Sequence, residues 1–407
     1  MCSGPPGNRV RKTLLPRVIE LLRETDNPEF EQKSPVTGYR DSPAVFQDGQ
    51  SGTDSWRRKK EMNSTKHIAL ILFLGFAVVP GANQAWGTEN LGSFTFYFEN
   101  DLFAATDRYY TNGTKLSWIS PDLSGYAESG KLPEWSLPLI RRLPFINEPG
   151  LQRNIGLSMG QNIYTPRDIS RKDLVKDERP YAGWAYFGIG FYSKNAHRLD
   201  SMEIQLGMVG PASFAEQTQK FVHRLGGYQR PNGWDNQIKN EPCLDVAYER
   251  RWRILRVGAV GGFGFDAITH LGGALGNVYT CANAGIEARL GWNIPMDFGT
   301  PLIRPAGDAN APVDAQDPDV SGNHGFCLNL FASVDGRAVL RDIFLDGNTF
   351  AHSHSVDKKY FVSDIAIGIS MIIHRFRLSF ARVIRTKEFK GQEDDQSFGS
   401  ITLSFSW

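Results

Sequence analysis

The sequence predicts an all-β fold: a 12-stranded antiparallel transmembrane β-barrel with a short surface-loop helix over the outer rim. Three observations carry this. Apolar residues alternate with polar ones in a long series of short segments, the period expected of strands with two unlike faces. Ile68 to Val79 is an apolar run between Lys66 and the small-residue exit Pro80 to Ala85. It is too short for a spanning helix, which needs ~20 residues, and has the build of a secretory signal peptide. Finally, the chain closes on an amphipathic strand, with Ile401, Leu403, Phe405 and Trp407 on one face and Ser400, Thr402, Ser404 and Ser406 on the other.

Taken in order, residues 1–61 are rich in Arg, Pro, Ser and Asp without a sustained pattern, and read as a non-native or disordered leader. Residues 62–85 form the signal peptide, with translation starting at Met62 and cleavage near Ala85, and residues 86–407 form the barrel. Alternating segments fall near 93–101, 109–119, 153–163, 182–193, 199–209, 243–252, 254–265, 281–291, 326–337, 362–373, 375–385 and 397–407. Twelve is an even count, as in bacterial single-chain barrels, and puts both ends of the barrel in the periplasm. The clearest alternations are Ile365/Ile367/Ile369/Met371/Ile373 and Met202/Ile204/Leu206/Met208; the glycine-rich 254–265 segment has the weakest register. With the first strand running outward, 102–108, 164–181, 210–242, 266–280, 338–361 and 386–396 become surface connections. Two periplasmic connections, 120–152 and 292–325, come out long and Pro-rich, which makes them plugs or caps on the inner side or shifts the strand count by a pair.

The net charge of +1 gives no bulk electrostatic case for nucleic acid. No run reaches ~18 apolar residues, which excludes helical spans but not a barrel, whose strands show half their side chains to a polar lumen. The 41 glycines and 12% aromatic residues suit a barrel wall and its interfacial girdles. Cys243, Cys281 and Cys327 follow the leader's Cys2 without a CxxC spacing, so one disulfide is possible with no pair selected.

Chemistry concentrates in two places. In FTFYFENDLFAATDRYYTNGTKLSW, Phe94 to Trp118, two strands meet at a polar tip holding Asn100, Asp101 and Thr111. Parity gives Asp101 the lumen face of Thr95 and Tyr97, and Thr111 that of Lys115 and Ser117, while Asn100 falls on the lipid side with Phe98 unless a bulge or strand end turns it. In the 210–242 connection, Ser213-Phe-Ala-Glu216 reads as a capping box and Gly226-Gly227 as a stop, enclosing a surface helix. Gln219 and His223 share one face of it at i and i+4.

The first of these stretches, together with QTQKFVHRLGG, Gly233-Trp234, Asn240-Glu241-Pro242 and the 177–183 segment DERPYAG, closely resembles the bacterial lipid A 3'-O-deacylase family. The C-terminal strand likewise resembles those of Gram-negative outer-membrane barrels. The resemblance spans roughly residues 93–407. It implies a multi-pass barrel in the outer membrane of a Gram-negative bacterium, inserted by the barrel assembly machinery, monomeric, and facing outer-leaflet lipid. It further implies hydrolysis of the 3'-linked acyl chain of lipid A by a phospholipase A2-like scheme with calcium as cofactor. In that scheme His223 is the base, Gln219 its companion, and Asn100, Asp101 and Thr111 build the calcium and oxyanion region. Histidine can take a proton at neutral pH, and a hard cation held by oxygen ligands can stabilise an oxyanion. Arg179 is the candidate for a lipid A phosphate, weighed evenly against an internal pairing. The alternatives are an outer-membrane phospholipase and a non-enzymatic channel or adhesin.

Two further stretches carry less. Gly156-Leu-Ser158-Met-Gly160 matches GxSxG, but Ser158 sits inside a continuing alternation without the strand-to-helix turn a nucleophile elbow requires. His352 and His354, in the 346–354 segment DGNTFAHSH, which also resembles the pattern of that family, read as part of a polar loop at the mouth rather than as metal ligands.

Overall fold

The computed structural model describes residues 92–406, apart from 105–107, 124, 127–133, 135–136, 143–147, 259–260, 305 and 308–325. The segments read as leader (1–61) and signal peptide (62–85), and Trp407, lie outside the described residues. Twelve strands close into one antiparallel barrel in which β1 pairs with both β2 and β12. They are β1 (Ser93–Asn100), β2 (Tyr109–Ile119), β3 (Gln152–Thr165), β4 (Ala182–Lys194), β5 (Arg198–Val209), β6 (Glu241–Gly258), β7 (Phe263–Gly276), β8 (Tyr279–Trp292), β9 (Phe326–Asp342), β10 (Phe361–Ile373), β11 (Phe376–Arg385) and β12 (Gln396–Ser406). Among the described residues no helix is long and apolar enough to cross a membrane.

The predicted number is right, and eleven of the twelve predicted segments coincide with a strand to within a few residues at their closer end. The exception is 254–265. β6 runs straight through the turn expected at Arg253, and β7 occupies most of the 266–280 stretch read as a surface connection. A register shift between Arg253 and Leu255 reverses the alternation inside β6, so period two breaks where the strand does not. Gly272 and Gly273 lie against backbone of β6 and β8, so residues that read as loop glycines are packing positions in a tightly paired strand.

The wall has the two faces the alternation requires. Leu157, Met159, Phe187, Ile189, Leu206, Leu330, Ile365, Ile367 and Ile369 are exposed on the outside, as a lipid-facing band demands. The lumen is polar and paired. Lys115 and Ser158 both donate to Glu203, at 3.3 and 3.0 Å. Arg385 grips Asp364 through two bonds of 2.8 and 2.9 Å, and Arg289 grips Asp266 likewise. Ser158 is therefore a lumen wall residue, not a nucleophile. Cys243, Cys281 and Cys327 form no disulfide.

The second long connection is a plug. Its described residues, 293–304, 306 and 307, are held inside the barrel by wall side chains reaching their backbone. Arg251 donates to the Phe298 carbonyl at 2.9 Å, Arg253 to that of Met296 at 2.8 Å, and Thr402 to that of Pro301 at 3.3 Å. Glu287, Glu99 and Glu203 accept the N–H groups of Thr300, Ile303 and Ala306. Asp297 is fully buried between Arg289 of β8 and Arg377 of β11, three strands apart in the wall. A connection with no secondary structure satisfies its backbone this way because the lumen supplies polar side chains as partners. The 120–152 connection is described only in part; Leu123 bridges to Arg153 beneath β3.

Candidate active site

At the β1–β2 tip the chain leaves the sheet at Asn100 and makes a helical turn, Asp101–Ala104. Asn100 Oδ1 accepts the Leu102 N–H at 2.8 Å, and Asp101 accepts the Arg108 N–H at 2.5 Å, which ties the two ends of the loop together. Phe103 folds down onto Gly399 and meets Phe98 edge-on at 5.9 Å, leaving no room for a side chain at Gly399. Asp101 is fully buried.

The parity expected for Thr111 is corrected by a bulge. Tyr110 pairs with Tyr164 but Asn112 with Ile163, so Thr111 is an extra residue on β2. Tyr110 reaches into the lumen and donates to Glu99 at 2.9 Å, while Thr111 Oγ1 lies 2.8 Å from Thr165 Oγ1. Thr165 follows the lumen-facing Tyr164, so it belongs to the opposite face. Thr111 is thus turned to the outer side of the rim, the side that parity gives Asn100. Asp101 lies beyond the end of β1, where strand parity no longer applies.

The predicted surface helix exists as α1, Ala215–Gly226, with a different start. Phe214 is its N-cap in a left-handed backbone at φ 59°, without a side-chain cap bond, and Ser213 donates instead to the Gly210 carbonyl at 2.6 Å. The capping box therefore does not form. The predicted stop does: Gly227 adopts φ 63°, and the N–H groups of Gly227 and Tyr228 turn back onto the last turn of the helix. Helix α1 packs on the outside of the barrel. Gly183 lies directly beneath Ala215 and Ser213, and any Cβ there would collide with both. Ile163, Ile169, Tyr181, Ala215 and Trp234 fill the space between helix, wall and the returning loop.

Gln219 and His223 both face this buried side, at 3% and 4% exposure. His223 Nδ1 lies 2.5 Å from the Gln229 carbonyl. A carbonyl can only accept, so Nδ1 carries the proton in the neutral ring and Nε2 is the lone-pair nitrogen. Trp234 Nε1–H donates to Gln219 Oε1 at 2.8 Å. Because an indole can only donate, this bond also fixes which way the amide points, and it leaves the buried Gln219 Nε2 without a hydrogen-bond partner among the described residues. Trp234 and Thr165 thus position the site, yet sequence reasoning assigned neither a role. Trp234 lies in a stretch that carried the resemblance, whereas Thr165 offered only its place ahead of Pro166.

The register puts the two halves on one level of the wall. Asn100 pairs with Asn112, Asn112 with Ile163, and Ile163 with Gly183, over which α1 sits. At ~4.8 Å between strands, the three steps put Asn100 about 14 Å along the sheet from Gly183, on which the helix rests.

Arg179 is not part of this surface. It is 1% exposed, donates to Glu388 at 2.9 Å, and stacks over the Tyr164 ring at 4.7 Å. Of the two readings weighed for it, the internal pairing is the one its partners support. Its neighbour Glu178 has its carboxyl pushed up by burial. His354 Nε2 meets the Glu178 carbonyl at 2.9 Å and His352 is exposed, so neither joins the site.

Comparison with known proteins decides the family. A model of the family described as outer membrane protein LpxR matches residues 68–407. The chain belongs to the LpxR family of outer membrane proteins. Among solved structures, LpxR from Salmonella typhimurium superposes with a TM-score of 0.60 at 18% identity, covering 77% of this chain and 99% of that one, which places the fold. The β domain of the Bordetella autotransporter BrkA is a more distant barrel, with a TM-score of 0.35 at 9% identity over 78% of this chain and 98% of that one. No curated protein matches the chain by sequence. Family and architecture together make it an outer-membrane barrel.

Proposed function

We propose that this LpxR-family protein is a lipid A 3'-O-deacylase working on lipopolysaccharide in the outer leaflet. The observation that carries the reading is the pair Gln219 and His223, held by Trp234 and the Gln229 carbonyl on the outer wall, where a lipid substrate arrives from the bilayer rather than through the lumen. His223 Nε2 takes a proton from water as the water oxygen bonds to the ester carbonyl carbon. Collapse of the tetrahedral species breaks the bond to the sugar 3'-oxygen, and the imidazolium returns its proton to that oxygen. The Gln219 Nε2 amide, buried and without a hydrogen-bond partner among the described residues, is available to donate to the oxyanion.

The donors at the β1–β2 tip suit calcium, because all are hard oxygens: the Asp101 carboxylate, the Asn100 amide oxygen and the Thr111 hydroxyl. Among the described residues no three His, Cys, Asp or Glu side chains cluster as a metal site, so a calcium ion here draws on amide, hydroxyl and carbonyl oxygens instead. When bound, the ion supplies positive charge to the oxyanion. A channel reading has less support, since the 293–304 stretch occupies the lumen. The test is purified protein on lipopolysaccharide with calcium or with a calcium chelator. Release of the 3' acyl chain only with calcium supports the reading, and release of phospholipid acyl chains instead transfers it to a phospholipase.

A further inference from the structure

We infer that α1 is embedded in the outer leaflet through an apolar stripe of its own, with lipid on one side, the barrel wall on another and water on the third. Phe214, Phe221 and Leu225 are 64%, 56% and 51% exposed. At 100° per residue, Phe221 and Leu225 lie on one face, with the N-cap Phe214 at its start. Gln219 and His223 point to the wall, and Gln217, Lys220 and Arg224 fill the remaining arc. A helix with a polar face and a separate aromatic and aliphatic face is the build of an interfacial helix.

What covers the stripe follows from where the helix sits. Gly183, under Ala215, is on the outer face of β4, and the next outward residues down the strand are Ala185, Phe187 and Ile189. Phe187 is 67% and Ile189 44% exposed, and Leu157, Met159 and Leu206 flank them on β3 and β5. From Gly183 to Phe187 is about 13 Å along the strand. The stripe therefore stands directly above the lipid-facing band, with Ala185 between them on β4 and, beside it on β3, Gln161, whose amide is taken up by the Ser213 carbonyl at 2.6 Å. Phe214 holds a left-handed backbone that residues other than glycine rarely adopt, while its side chain is turned outward. The occupant is outer-leaflet acyl chain. On the deacylase reading, which this consequence alone rests on, the stripe sets the depth at which His223 meets an acyl ester.

The test needs no catalysis. Full-length protein in phosphatidylethanolamine/phosphatidylglycerol vesicles is spin-labelled at F221C or L225C, with Q217C and R224C as the water-facing comparison and F187C as the band comparison. The unsubstituted protein gives the background from its own cysteines. At Phe221 and Leu225, oxygen is expected to relax the label more than a water-soluble nickel chelate does, as at Phe187, with the order reversed at Gln217 and Arg224. Labels at 221 and 225 that behave like those at 217 and 224 overturn the inference, as do labels shielded from both reagents and broadened by a second copy. An inactive preparation gives the same readout, so failure of the deacylase reading leaves this result standing.

Discussion

Asp297 is the point at which the plug is most exposed to a single substitution. It is fully buried and faces Arg289 from β8 and Arg377 from β11. Removing one partner from a buried ion pair costs ~3–5 kcal/mol, because the remaining charge keeps its desolvation penalty. Arg289 retains two bonds to Asp266, of 2.8 and 2.6 Å, so Asp297→Ala belongs at the lower end, about 3 kcal/mol. That is roughly two powers of ten in the population of a loosened plug. Urea unfolding in lipid vesicles, followed by tryptophan fluorescence, should show the lost stability, and planar-bilayer recordings should show brief openings absent from the unsubstituted protein. Burial pushes the Asp297 carboxyl up, but the guanidinium groups of Arg377 and Arg289 outweigh it and hold the group below the usual carboxylate range. A depressed folded value means the stabilisation is complete above the unfolded value of ~3.9 and is lost as pH falls below it. The difference between native protein and Asp297→Asn should therefore be constant from neutrality to about pH 5 and shrink only in stronger acid. An unchanged unfolding midpoint together with silent recordings would refute the view that this carboxylate latches the plug.

Gln219→Ala should lower turnover on lipopolysaccharide by ~10²–10³ if its amide meets the oxyanion, whereas Trp234→Phe, which only frees that amide, should cost far less; equal losses would make Gln219 merely structural. Gly183→Val should lift α1 from the wall and abolish turnover while the barrel still resists unfolding by cold detergent, and full activity in that variant would show that the helix need not seat there. Arg179→Met should destabilise the rim by ~3–5 kcal/mol without raising KM for lipopolysaccharide. A raised KM with unchanged stability would restore Arg179 as a phosphate contact.

The barrel was legible because its wall obeys a period that residue types reveal directly. Ile365 to Ile373 and Met202 to Met208 could be placed on their faces by parity alone, and β10 and β5 carry them so. Where the period failed, a local backbone event was responsible. The irregularity near Arg253 hid the length of β6, and the extra residue Thr111 turned a lumen assignment into an outer one. Neither leaves a mark in composition, since a bulge is set by how two strands match. The length and prolines of 292–325 suggested a plug, but its partners, from Glu99 to Thr402, are spread across the whole chain. Gln219 and His223 could be paired by helical spacing. That their face meets the outer wall followed only from the contact of Ala215 with Gly183, while the internal pairing of Arg179 depended on Glu388, more than two hundred residues away.

The most direct test of the central claim is the lipid A of a Gram-negative host expressing this protein, beside one expressing His223→Ala, read by mass spectrometry. The account predicts loss of one 3'-linked acyl group with the native protein and intact lipid A with the variant. Unchanged lipid A in both hosts, with both barrels folded and calcium supplied, would contradict it.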